Sequence, residues 1–227
     1  MIPFQMHMGA LESVLTFLGS SLCHQLEERS YFIDDFQMPL CARCLGLHLG
    51  FLISAMIILA RRDPRLSGLP SLRSLVALGL IMLPAMADVV LSYLGIVDTD
   101  NVRRAVTGVL FGTALAFLIV PFIRFLLTAS GPKGASLGSP SHWIMMAMAA
   151  VAACALALSA ESSEWLFYAV AIAGIAGVFA TMLSLVLVLI TLATDETEWR
   201  SSAKIAASAV VTPVLLVLLA LLHGALR

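Results

Sequence analysis

The sequence predicts an all-α fold, a polytopic membrane helix bundle of about six transmembrane helices plus an N-terminal interfacial or partly inserted helix. Three observations carry this. The 227-residue chain is 60% hydrophobic and only 12% charged, roughly half the charge of an ordinary globular domain. Its mean hydropathy is +1.00. Apolar runs near the ~20 residues needed to cross a bilayer recur along it, separated by short polar connections. A net charge of −1 without any block of like charge argues against a nucleic-acid partner, leaving the lipid bilayer as the surrounding phase.

Residues 10–27 space Leu11, Val14, Leu15, Leu18 and Leu22 as one helical face, but Glu12 and Cys23-His24-Gln25 shorten the apolar part to about 12 residues. This predicts a helix lying in the interface or dipping inward. The N-terminus lacks the basic region of a cleavable signal peptide, so the first residues are expected to remain. Residues 28–39 form a polar connection ending at Pro39, which suits the first turn of the next helix.

Spans are then predicted at about 40–60, 72–96 (interrupted by Pro84 and carrying Asp88), 104–127, 143–160, 165–193 and 204–226. The whole reads as a single integral membrane domain over 1–227. It has an N-terminal helix and loop to 39, three spans with the motif residues over 40–127, a flexible loop over 128–142, and three further spans over 143–227. Gly46-x-x-x-Gly50 and Gly108-x-x-x-Gly112 mark close helix packing, within the chain or toward a membrane-protein partner or second copy.

Counting Lys and Arg orients the bundle. Arg61, Arg62, Arg65, Arg73, Arg124, Lys133, Arg200 and Lys204 fall on one side, and Arg29, Arg43, Arg103, Arg104 and Arg227 on the other. The richer side is expected to be cytoplasmic, which places the cysteine-bearing end outward across a prokaryotic inner membrane.

Chemistry concentrates between Cys23 and His48. That stretch holds three of the four cysteines and two of the five histidines. At 100° per residue Cys41, Cys44 and His48 share one helix face, but Cys41 and His48 are about 10 Å apart along the axis. Cys41 and Cys44 can share one ion, and the loop lets Cys23 and His24 fold back as a second pair. A Cys₃His set is a usual composition for tetrahedral zinc. The positive helix end and Arg43 favour thiolates, which serve metal binding and disulfide exchange equally. A static disulfide or simple packing of apolar thiols is the bland alternative. His48 reads as a satisfied buried histidine, and Cys154 as packing. Asp88, inside an apolar span, calls for a partner, and Arg43, Arg103 and Arg104 are the candidates. A structural Asp–Arg pair joining helices is the plainer reading.

At CHQLEERSYFIDDFQMPLCARCLGLHLG the chain resembles a family of small predicted membrane proteins of bacteria and archaea, a domain of unknown function. LPAMAD and NVRRAVTGVLFG are similar to that family's Pro-x-x-x-Asp and Asn-x-x-Arg-x-x-Thr-Gly-x-x-x-Gly stretches, so the resemblance covers about residues 20–115. It carries over Cys23, His24, Gln25, Arg29, Ser30, Cys41, Arg43, Cys44, Asp88, Asn101, Arg104, Thr107 and Gly108. The chain departs from the pattern at His48, where the family has Tyr, and lacks the Gly-x-x-Gln expected after the Asp.

These features yield three expectations. The first is a zinc or other transition-metal site on Cys23, His24, Cys41 and Cys44 at the outer membrane face, with Asp88, Arg43, Arg104 and Arg29 as the catalytic residues of a polar chamber beside it, as in a membrane metalloenzyme. Gln25, Ser30, His48, Asn101 and Thr107 would support that chamber. The second is a thiol–disulfide oxidoreductase linked to a quinone. The third is a structural subunit of a larger membrane complex.

Overall fold

The structure, a computed structural model, describes residues 4–61, 63–66, 68–127, 137–194 and 201–225, with side chains from Gly9 onward. The predicted loop over 128–142 therefore lies outside the described residues as far as residue 136. Seven helices run through the described residues: α1 Phe4–Gly19, α2 Ala42–Arg61, α3 Leu72–Tyr93, α4 Asn101–Leu127, α5 Pro140–Leu158, α6 Glu164–Ala193 and α7 Ser201–Ala225. The six from α2 on are long and apolar enough to cross a membrane.

Local chemistry sets the boundaries. Ser71 accepts the Ser74 N–H (3.2 Å) before α3, Asp100 Oδ1 accepts the Arg103 N–H (2.7 Å) at α4, and Ser163 accepts the Leu166 N–H before α6. Pro140 opens α5 within its first turn, as its missing N–H allows. Pro84 does not interrupt its span as expected. It lies inside an unbroken α3 on an exposed, lipid-directed face, where local adjustment of the ladder absorbs one lost hydrogen bond.

The N-terminal helix differs more from expectation. It covers Phe4–Gly19 rather than 10–27. Ser20 and Ser21 turn their hydroxyls back onto the carbonyls of Phe17 and Leu18, both at 2.7 Å. Those bonds take acceptors that another helical turn would need. At 16 residues α1 is short of a span. It packs beside α6 and α7, and Tyr168 donates to Glu12 across that contact.

The polar connection contains an unforeseen antiparallel hairpin, β1 Phe32–Ile33 and β2 Phe36–Gln37, with Ile33 opposite Phe36. Asp34 takes φ +47 in the two-residue turn. The hairpin sits on the start of α6, where Phe36 stacks on Tyr168 (5.7 Å) and the Phe32 N–H donates to Glu161 Oε1 at 3.2 Å.

α2 is the hub, packed against α4, α5 and α6. A Cβ on Gly46 would collide with the Ala105 carbonyl oxygen. One on Gly108 would collide with Arg43 O, and one on Gly112 with Leu47 O. Both glycine motifs thus face each other, bringing two backbones into contact. Gly177 repeats this on the opposite side of α2, against His48 O. The glycine faces of α2 and α4 thus pack against one another within the chain.

Candidate functional site

The N-terminus of α2 gathers the cysteines. The Cys23, Cys41 and Cys44 sulfurs lie within 4.8 Å of one another. Cys41 immediately precedes α2 and Cys44 lies on its first turn, so C-x-x-C spacing puts both sulfurs at one helix end. Cys23 arrives from the end of α1. Its sulfur accepts the Cys41 N–H at 3.1 Å and the Gln25 N–H at 3.4 Å. The second contact depends on Gln25 holding φ +52. All three cysteines are free, and Cys23 is fully buried.

The three sulfurs are not equivalent. Hydrogen bonds from the Cys23 and Cys44 thiols hold Cys41 well below the usual thiol range, aided by the backbone N–H groups of Cys44 and Arg43. Cys23, on the donating side of its bond with Cys41, is pushed up to about 11. Of the three sulfurs, Cys41 is therefore the one whose surroundings favour the thiolate.

His24 does not join them. Its ring stands edge-on to His223 near the end of α7, with centroids 5.5 Å apart. Cys23 faces inward while its neighbour faces α7, so the expected Cys₃His set is Cys₃ among the described residues. His48 is buried a turn below Cys44, with Nδ1 3.1 Å from Thr181 Oγ1. Thr181 gives its one hydroxyl proton to the Gly177 carbonyl (2.8 Å). The histidine therefore donates from Nδ1, and the pair is the satisfied buried histidine that the sequence predicts.

Beside the cysteines, Asp88 is completely buried on α3. Arg43 donates to its Oδ2 through Nη2 and through Nε at 3.1 Å, and Arg103 Nε stands 3.2 Å from Oδ1. Of the three candidate partners the structure selects Arg43 and Arg103. Arg104, about 100° further around α4, turns to the loop and donates to Glu28 O (3.2 Å) and Asn101 Oδ1 (3.3 Å). Arg29 is half-buried, its Nε 3.5 Å from Glu28 Oε1. Arg43, which lies between Cys41 and Cys44 in the chain, thus reaches the buried carboxylate through an ion pair.

The supporting residues close the 23–39 loop over α4. Gln25 Nε2 donates to Thr16 O (2.7 Å) and Pro39 O (3.0 Å), and Ser30 Oγ to Leu26 O (2.9 Å). Asn101 Nδ2 reaches Ser30 O at 3.0 Å, so it clamps the loop while Asp100 caps the helix. Thr107 bonds back to the Arg103 and Arg104 carbonyls within α4. Two contributors escape sequence reading. Gln37 bridges Gln25 O and Ser30 Oγ (2.8 and 2.9 Å), and Tyr31 donates to Asn101 O (3.2 Å). Their lone signal is proximity to the Cys-His-Gln motif.

Residues 23–118 match a family described as "Predicted membrane protein (DUF2085)". An uncharacterised protein of Methanocaldococcus jannaschii is 26% identical over 126 residues, covering 52% of this chain and 79% of that one. Another, of Methanothermobacter thermautotrophicus, is 29% identical over 100 residues, 43% of this chain and 83% of its own. No solved structure matches.

Proposed function

We propose that this chain, whose residues 23–118 match the DUF2085 family of predicted membrane proteins, holds one transition-metal ion, zinc by the nature of the donors, on Cys23, Cys41 and Cys44. The observation that carries the reading is the convergence of three buried or half-buried sulfurs within 4.8 Å. Soft thiolates select zinc among abundant divalent ions. The residues fit such an ion: backbone N–H groups already point at Cys23, and those of Arg43 and Cys44 favour the thiolate of Cys41. Such an ion would supply Lewis acidity at its remaining coordination position, with His24 as the nearest further donor in sequence.

Asp88, Arg43, Arg103 and Arg104 form the polar chamber beside it in this reading. Asp88 fixes Arg43 and Arg103, and Arg104 presents a guanidinium to whatever enters. The site faces outward across a prokaryotic cell membrane, in keeping with the Lys/Arg bias of the opposite end.

Elemental analysis of protein purified without chelator, with thiols counted in the same sample, tests the proposal. About one equivalent of zinc with unoxidised cysteines is expected, and its loss in Cys44→Ser. A second reading, thiol–disulfide exchange with a quinone as electron acceptor, draws on the low Cys41 thiol at a helix N-terminus with Cys44 in reach. A metal-free protein with a Cys41–Cys44 disulfide that reduces and reforms would replace the first reading with this one.

A further inference from the structure

His24 and His223 meet from opposite ends of the chain, with ring centroids 5.5 Å apart and ring planes inclined by 74°. His24 is exposed and His223 half-buried. Around His223 the last turn of α7 is apolar, and Leu221 (57%) and Leu222 (58%) are exposed. The one polar side chain of that turn thus meets the one histidine of the 23–39 loop. Contact between two polar rings at an exposed position removes little apolar area from water, so packing does not account for it.

The spacing is that of two imidazoles sharing an ion. Each ring carries two nitrogens, and a shared ion needs one from each. With metal–nitrogen bonds of ~2.1 Å and a ring radius of about 1.1 Å, each centroid stands about 3.2 Å from the ion, and tetrahedral ligation separates the centroids by about 5.2 Å. The observed separation is close to that. An imidazole lone pair lies in the ring plane, so parallel stacked rings cannot aim at one point, whereas inclined planes intersect. The surroundings favour a cation. His223 lies in the last turn of α7, where free carbonyls carry partial negative charge. After His24 the loop supplies Glu27, Glu28, Asp34 and Asp35 against Arg29 alone.

We propose that His24 and His223 form a second transition-metal site, at the surface and separate from the three sulfurs. It takes a divalent ion of the kind imidazole nitrogen favours, such as zinc, nickel or copper(II), with water completing the shell. Two imidazoles and water make a weaker set than three sulfurs, so this ion exchanges readily. Bound there, it ties the last turn of α7 to the loop that carries Cys23. The inference does not rest on the zinc reading of the cysteines, whose cluster leaves His24 out.

The test uses full-length protein in a neutral detergent, without an affinity tag, dialysed to equilibrium against a fixed excess of free zinc. Elemental analysis counts the ions bound. Wild type should hold one zinc more than His223→Ala, and His24→Ala should show the same loss of one equivalent. Cys44→Ser should still lose one equivalent when His223→Ala is added to it, which separates this site from the sulfurs. Equal zinc in wild type and His223→Ala overturns the proposal, as does a loss in His223→Ala that His24→Ala does not share. Zinc on the cysteines without any such difference sinks this inference alone. Protein whose cysteines hold no metal, yet which shows the difference, sinks the zinc reading and leaves this one standing.

Discussion

The two ends of the bundle spend their charges differently. At the end opposite the cysteines, cations finish helices. Arg124 donates to Ile58 O (3.0 Å) and Asp63 O (3.4 Å) where α2 ends, and Lys204, only 4% exposed, donates to Thr194 O (3.3 Å) where α6 ends. Asp63 pairs with His142 at 3.1 Å in the connection that follows α2. These groups satisfy carbonyls that any helix terminus leaves without partners. At the cysteine end Arg43 and Arg103 meet a carboxylate inside the bundle, and the Nε–H groups of Arg29 and Arg104 make no hydrogen bond. The same residue types close helices in one place and hold a polar site open in the other. Burial alone does not separate these roles; the nature of the acceptors does.

The largest effect expected to sharpen that contrast is at Asp88. Asp88→Asn leaves Arg43 and Arg103 without their carboxylate and should cost about 3–5 kcal/mol, the penalty for breaking a buried ion pair. Denaturation in detergent measures it. A loss below about 1 kcal/mol would put the pair among solvated surface bridges, like those of the opposite end.

Next comes the helix contact that keeps the cysteine end together. Gly112→Ala drives a Cβ into the Leu47 carbonyl and should cost about 1–3 kcal/mol by overpacking. Gly79, where an added methyl would meet nothing within 4 Å, is the control. Gly79→Ala should be neutral or stabilising by up to about 1 kcal/mol through helix propensity. Equal losses in the two variants, read by the same denaturation, would show that the α2–α4 contact is looser than its geometry implies.

The smallest effect belongs to Asp63. His142, hydrogen-bonded to it, holds the Asp63 carboxyl below the usual carboxylate range, with the Arg65 N–H helping. A folded value lower than the unfolded one adds stability above the unfolded pKa and loses it as pH falls through the folded value. Asp63→Asn should therefore cost less than about 1 kcal/mol near neutrality, and the two proteins should converge below about pH 4. Divergence that grows toward acid would show that the pair is not what Asp63 contributes.

Much of this molecule is legible in its sequence because a bilayer imposes a strong code. Uninterrupted apolar length marks the six spans, and a lone carboxylate such as Asp88 stands out against it. Three cysteines around one helix start are equally visible, as are the two glycine motifs as close-packing surfaces, though that they face each other is not. What is lost depends on rotation. Arg103 and Arg104 are adjacent letters whose side chains leave α4 about 100° apart, and only packing decides which meets Asp88. His24 follows Cys23 and turns to a histidine near the far end of the chain. Two-residue strands and serine hydroxyls that end α1 early are too short to produce a periodic signal.

The left-handed turn at Gln25 has a consequence for the order of assembly during synthesis. By bending the chain back it lets Cys23 meet Cys41 and Cys44 across a short loop, whose closure is entropically cheap. Every sulfur of the cluster is made before α3 has left the ribosome, whereas the Asp88 pairing must wait for α3 and, for Arg103, α4. Cluster assembly and charge burial are therefore separable in time, with the nascent N-terminal segment able to gather its three sulfurs before the rest of the bundle arrives.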